Sequence, residues 1–476
     1  MDKARRNAAI DFYNQAVGVG KQDPQLAYRL LCSAVTVDPE MGQGWYLLGN
    51  SLADLKHYPA SIAAFQRALT LPDGDYPGDM TADFRAKTLV NLGHRLLNDG
   101  RIEDAAGVTA VALRFLESNP DLDQEGRAFC WTNMSLILTI KGDLEGSLRN
   151  AKIAFEKSQK AIIETGLGFA YLFSGDFEKG LKHFEARFEY KGLMKDYPYR
   201  RWDGGRDEVL FIVPDQGLGD TLSFARFVPE VSRRVGRVIF SVQPELVRLL
   251  GCGLKHLGNV EVVPTSPQFP AADVWCPVVS LPVALGLSSE EIEGCVQGWE
   301  AGEFSSSVPV GWKAPGACLH VGIAYGGSAA NEIDRWRSIP VEQFLDLYGV
   351  PGVQLYSLQV GERVADLHMA GAAGLIKDMS PWIRDAADTV AIMRELDLVI
   401  TIESFVGHLA GAIGKECWVP LSWRGGDYRC GKFGDRPIWY GNTLLFREGA
   451  VGGWGPVFGR LRGALAERSW RAGGSR

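Results

Sequence analysis

The chain has 476 residues, 46% of them hydrophobic, which is enough for several domains that each bury a core of their own. Fifty basic side chains against 57 acidic ones leave a net charge of −7, so no global positive field draws the chain to phosphate backbones, and nucleic acid is a disfavoured partner. Eight cysteines without a C-x-x-C pair speak against a zinc site and a disulfide framework, and point to reduced thiols. The start of the chain has no apolar leader, and Val274 to Leu287 is short and broken by Pro277 and Pro282, so the expectation is a cytoplasmic protein with no membrane span.

In chain order, the first 195 residues are self-similar. Trp45, Leu48 and Gly49 are followed by Ser61, Phe65, Ala68 and Pro72, the pattern of a helix-turn-helix tetratricopeptide repeat, with small residues where two helices cross and an apolar stripe beside them. Similar blocks recur around Leu92-Gly93, Met134-Ser135 and Leu167-Gly168. The interval from Ser135 to Gly168 is 33 residues, whereas the earlier intervals of 44 and 42 imply longer loops, one of them Pro72 to Gly78. Ala4 to Val37 reads as a degenerate capping pair. Such an array is either a solvated spacer or a concave surface that holds a protein or peptide.

After a connector at 191–206, apolar strands begin to alternate with helices. Val209–Val213, Val238–Val242, Val260–Val263 and Val274–Cys276 read as strands, with helices at Leu222–Val235 and Glu245–Leu250, giving a parallel α/β lobe over 205–304. Gln216-Gly217-Leu218-Gly219-Asp220 leaves the first strand and opens a helix, placing Gly217 and Gly219 where a ligand can approach the backbone of an open α/β sheet. Asp220 is there either a cap against the helix dipole or a functional carboxylate. A dinucleotide site fits less well, because Leu222 stands where that fingerprint has its third glycine.

A looser stretch, Gly302 to Gly316, precedes a second lobe over 317–470. Its strands are Cys318–Ala324, Val353–Leu358, Leu398–Ile402 and Cys417–Leu421, with helices at Val341–Tyr348, Asp385–Leu396 and Phe405–Ile413. Three groups lie at its strand ends. Gly326, Gly327, Arg335, Arg337 and Ser338 combine glycines with guanidinium forks suited to phosphate. Gln359 ends the next strand, and Glu403, Ser404 and His408 open a helix whose first amides can receive an anion. A single histidine there is either a satisfied structural group or part of a site that includes the two arginines.

Residues 205 to about 465 resemble the heptosyltransferase-related glycosyltransferases in Gln216 to Asp220, Asn331 to Ser338, Ser357-Leu-Gln359 and His408-Leu-Ala410. The fusion to repeats resembles bacterial tetratricopeptide glycosyltransferases, whose domain plan is similar to the protein O-GlcNAc transferases. The resemblance implies a GT-B fold of two Rossmann-like lobes, with the acceptor on the first and a nucleotide-sugar donor on the second. It implies that Asp220 is the general base, that Arg335 and Arg337 meet the donor phosphates, and that Glu403 and His408 border the donor. The donor-binding set is then Gly217, Gly219, Gly326, Gly327, Arg335, Arg337, Ser338, Gln359, Glu403, Ser404 and His408. This chain has Tyr325, Val360 and Glu403 where the family usually has Trp, Lys and Asp, so sugar and nucleotide stay open.

Sugar transfer needs a base for the acceptor hydroxyl and positive groups for the departing phosphate, and these residues supply both without a metal or another cofactor. The expectation is an inverting transferase acting on a protein, flagellin for example, presented by the repeats. The alternatives are a saccharide, lipid-linked glycan or modified DNA base as acceptor, or a non-catalytic repeat adaptor.

Overall fold

The computed structural model describes residues 3–74, 77–122, 124–190, 192, 197–295, 302–304, 308–328, 331, 333–424, 426–449 and 452–473. Ser305 to Ser307, Glu332, Asp75-Tyr76 of the first long loop and part of the 191–206 connector lie outside the described residues. The chain forms two compact units, Met1–Ser174 and Gly175–Arg476.

The first unit is a helical solenoid. Antiparallel neighbours pair as Lys3–Val19 with Pro24–Val37, Gly42–Asp54 with Tyr58–Thr70, Ala82–Asn98 with Ile102–Ser118, and Gln124–Lys141 with Leu144–Lys157, followed by Ala161–Phe173. The small residues of the repeat pattern sit at the crossings. A Cβ on Gly49 would fall 2.5 Å from the Phe65 ring, one on Gly93 would fall 2.7 Å from Thr109 Oγ1, and the third crossing is bridged by the Ser135 and Ser147 hydroxyls at 3.0 Å. The turns inside the pairs share one geometry. Lys56, Gly100 and Gly142 are left-handed, at φ 63°, 82° and 87°. The next residue then donates its N–H back into the first helix, His57 to Leu52, Arg101 to Leu96 and Asp143 to Leu138.

The second unit opens with helices Phe177–Phe184 and Arg187–Tyr190 and then builds two parallel sheets. The first contains β1 (Arg200–Arg201), β2 (Val209–Val213), β3 (Arg237–Val242), β4 (Val260–Pro264) and β5 (Val274–Pro277), in the order β1-β5-β2-β3-β4. The second contains β6 (Leu319–Ala324), β7 (Val353–Ser357), β8 (Ile376–Asp378), β9 (Leu398–Thr401), β10 (Cys417–Leu421) and β11 (Thr443–Arg447), in the order β11-β10-β9-β6-β7-β8. Near-continuous Val, Ile and Leu runs suit strands covered on both faces. In the second sheet Val321, Ile323, Leu355 and Ile400 are buried under helices that include Glu342–Tyr348 and Trp454–Gly473, where Phe344 meets Phe458 at 5.0 Å.

Each sheet changes direction once. The chain runs outward from β2 to β4 and returns as β5 on the other side of β2; likewise it runs from β6 to β8 and returns as β9 beside β6. Such reversals open a crevice at the carboxyl ends of the strands, where the loop carrying Asp220 leaves β2 and the loops carrying Arg335 and His408 leave β6 and β9.

Several local expectations are revised. The helix read as Leu222–Val235 is instead Leu218–Phe224, a tight 3₁₀ turn at Ala225–Phe227, and Val228–Ser232, because Pro229 has no N–H to continue the first piece. Edge strands β1, β8 and β11 were not anticipated; they are short or polar and lack a long apolar run. The segment 177–190 also belongs to the α/β unit. Arg187 is fully buried there and donates two hydrogen bonds to Asp215 at 2.7 and 3.0 Å, just beyond β2.

Candidate functional site

Asp220 is the third residue of the Leu218–Phe224 helix and does two things at once. Its Oδ2 accepts the Gly217 N–H at 3.2 Å, which is a cap, and its Oδ1 accepts from Arg429 Nη2 at 2.5 Å. Arg429 comes from a short 3₁₀ turn, Tyr428–Cys430, in the segment after β10 and is 5% exposed. Its Nε and Nη2 also reach the two Asp427 oxygens, at 2.7 and 2.8 Å, and the guanidinium lies over the Phe224, Tyr428 and Trp439 rings. Among the described residues its Nη1 is buried without an acceptor.

The Asp427 N–H donates to Glu403 Oε1 at 3.0 Å, which joins the loop after β9 to this cluster. Burial, reinforced by the Asp427 charge, pushes the Glu403 carboxyl up to about 7. His408, in the Phe405–Ala412 helix, has Nδ1 3.0 Å from Ser223 Oγ and 3.4 Å from Tyr440 Oη. Burial and then the neighbouring Arg429 lower its pKa to about 4, so the ring is neutral near pH 7. Gly219 is required here for a reason other than ligand approach. A Cβ on it would fall 2.6 Å from the His408 ring, so the glycine is what lets the first sheet's loop sit against the second sheet's helix.

Most of the remaining residues of the expected site are committed to holding their loops. Gln359 Oε1 accepts the Tyr325 and Gly326 N–H groups at 3.2 and 3.0 Å, and its Nε2 donates to the Gly326 carbonyl at 3.2 Å. Ser338 Oγ accepts the Gly327 N–H at 3.0 Å, so the amides of both glycines are already used within the loop. Arg337 shares buried Asp334 with Arg363, at 3.3 and 2.6 Å. Arg335 is exposed, its guanidinium 4.6 Å from the centre of the Trp336 ring. Ser404 precedes the Phe405–Ala412 helix with its hydroxyl 3.1 Å from Thr401 Oγ1. Gly217, beside Asp220, is open to solvent.

Asp220, Glu403 and His408 are thus brought together; Arg335 and Arg337 stand on a neighbouring loop, with Arg337 close enough for its charge to act on Glu403. Sequence reasoning missed Ser223, Arg226, Asp427, Arg429, Trp439 and Tyr440. Arg226 is buried, donates to the Ser223 and Trp439 carbonyls at 3.0 and 3.4 Å, and lies 4.4 Å from the Trp439 ring centre. The available signal was the density of Trp, Tyr and Arg in 423–440, a segment without helix or strand periodicity.

The tetratricopeptide-repeat family profile matches residues 42–74, so a repeat of this kind is present in the first unit. Protein FlbA of Caulobacter vibrioides is 21% identical over an alignment of 540 residues that covers 94% of this chain and 88% of that protein. Among solved structures, the type IV pilus biogenesis factor PilW aligns at 16% identity and a TM-score of 0.32, over 41% of this chain and 81% of its own. MamA from Desulfovibrio magneticus RS-1 aligns at 16% identity and 0.30, over 40% and 98%. Among the described residues no helix is long and apolar enough to cross a membrane, and all eight cysteines are free thiols.

Proposed function

We propose that the α/β unit is a metal-independent, inverting glycosyltransferase of the GT-B type, that it uses a nucleotide-sugar, and that the repeats recruit a protein acceptor such as flagellin. The observation that carries this reading is the meeting of the two switch-point loops, with Asp220 from the first sheet beside Arg429 and His408 from the second. A carboxylate from one sheet facing cations and a neutral imidazole from the other is the arrangement a displacement at an anomeric carbon needs.

In this reading the acceptor oxygen attacks the anomeric carbon from the face opposite the nucleotide. The hydroxyl proton passes to Asp220 Oδ2 while Arg429 holds Oδ1 in place. The bond from the anomeric carbon to the phosphate oxygen breaks, and that oxygen keeps the electron pair. The new negative charge meets the arginines and the amide end of the Phe405–Ala412 helix.

A panel of nucleotide-sugars, scored for sugar transfer or slow hydrolysis by the full chain, tests the proposal. Turnover of at least one donor supports it, and inertness toward all of them refutes it. A second reading, a non-catalytic repeat adaptor, draws on the same ion pair, because Arg429 already occupies part of the Asp220 carboxylate. Protein capture with no turnover would favour it.

A further inference from the structure

The cations named so far are largely balanced. Arg337 and Arg363 share Asp334, and Arg429 has Asp427 and Asp220. Beside them is a group of a different kind, built from the loops after β6 and β10. Trp336 and Trp423 meet edge to face, with centroids 6.1 Å apart and planes at 86°, forming an aromatic corner. The Arg424 guanidinium lies over both rings, 5.8 Å from the Trp336 centre and 6.0 Å from the Trp423 centre. Lys432 Nζ is tied to the Arg424 carbonyl at 3.4 Å, and Arg335 lies against the Trp336 ring.

Among the described residues, no carboxylate pairs with Arg424 or Lys432. Burial lowers both, Arg424 to about 10 with Arg335 adding repulsion, and Lys432 to about 8 with Arg447 and Arg424 adding it. Glu448, just after β11, is turned to the backbone, its Oε2 accepting the Trp423 N–H at 3.1 Å. Among the described residues the Trp423 indole N–H is buried without an acceptor. Two partly buried, mutually repelling cations with no carboxylate between them are unfavourable, the indole faces offset only part of that cost, and an anion that also carries a flat ring relieves the repulsion and packs on the aromatic corner.

We infer that Trp336, Trp423, Arg424 and Lys432 form a nucleotide subsite, in which the indole corner takes the base and the two cations take the phosphates. The inference deepens the transferase reading and rests on it, because it assigns the donor's anchor to residues other than the Arg337 pair. It also explains why Arg337 can be spent on Asp334. The class of ligand is a nucleoside diphosphate; inorganic pyrophosphate presents only the charge, and a free nucleoside only the ring.

The test is calorimetric titration of the full chain with UDP, ADP, GDP and CDP, alongside pyrophosphate and the free nucleosides, on wild type, Arg424→Gln, Lys432→Gln and Arg424→Lys. At least one nucleoside diphosphate should bind wild type more tightly than either of its parts. Each Gln variant should weaken that binding at least about 10-fold, as loss of one charge-assisted contact does, and Arg424→Lys should recover part of it. Unchanged nucleotide affinity in both Gln variants, each folded by circular dichroism, overturns the subsite. So does a wild-type preference for pyrophosphate over every nucleotide.

Sugar transfer by wild type is read separately. Transfer with unchanged nucleotide affinity in the variants removes the subsite and leaves the transferase. Nucleotide bound at this corner with no transfer from any nucleotide-sugar removes the transferase reading alone.

Discussion

Arg429 and Asp220 are 209 positions apart in the chain, yet Arg429 Nη2 donates to Asp220 Oδ1 at 2.5 Å, joining the loop after β10 to the loop after β2. The pair fixes the carboxylate that the proposed chemistry depends on, and Arg429 is in turn fixed by Asp427 and three aromatic rings. A buried guanidinium with two carboxylates is costly to dismantle from one side, because the acids are then left without a counter-charge.

Arg429→Met should therefore lose about 2 to 3 kcal/mol of stability in urea unfolding, and adding Asp427→Asn should recover part of that loss. A loss under about 0.5 kcal/mol would mean that the cluster is solvated and does not hold Asp220.

The two perturbed groups beside this cluster make opposite contributions to the dependence of stability on pH. Glu403 is raised from 4.5 to about 7, so across that window the folded chain keeps a proton that the unfolded chain has lost, and its contribution falls as pH rises. His408 is lowered from 6.5 to about 4, so between those values the unfolded chain binds more protons, and its contribution grows with pH. Glu403→Gln removes the first effect. Its stability relative to wild type should improve by roughly 1 to 2 kcal/mol between pH 5 and pH 8, measured by chemical unfolding at each pH. A difference that stays constant with pH would place the Glu403 carboxyl in its ordinary range.

In the repeats, Lys56 holds the left-handed turn position that Gly100 and Gly142 hold in the neighbouring pairs. A side chain with a Cβ is strained there, and glycine is not. Lys56→Gly should stabilise the first unit by about 0.5 to 1 kcal/mol, after the extra entropy of glycine in the unfolded chain is subtracted, and should raise its melting transition. A lowered transition would show that the lysine side chain contributes more than its backbone costs.

What could be read from the sequence followed from local repetition. The Trp45, Leu48, Gly49 and Phe65 spacing marks a helix pair because the glycine and the ring meet within that pair, and β2 is legible because five apolar residues in a row suit a strand covered on both faces. The site was legible only where it lies on such elements. Asp220 and His408 open helices that follow strands, and their positions could be read. Arg429 and Asp427 lie in a segment whose conformation is set by distant partners, and no spacing announces a bond across 209 residues. That the Gly326 and Gly327 amides are held within their own loop was not legible, because Gln359 and Ser338, which accept from them, are 33 and 11 residues away.

The most direct test of the transferase reading is the turnover of Asp220→Asn at saturating donor and acceptor, followed as nucleotide release. Asn caps the helix about as well as Asp, and loss of one partly exposed ion pair costs about 1 kcal/mol, so the variant should fold and bind donor as wild type does. It cannot accept the hydroxyl proton, and turnover should fall at least about 100-fold. Turnover within a few-fold of wild type would return Asp220 to the role of a cap and contradict the account.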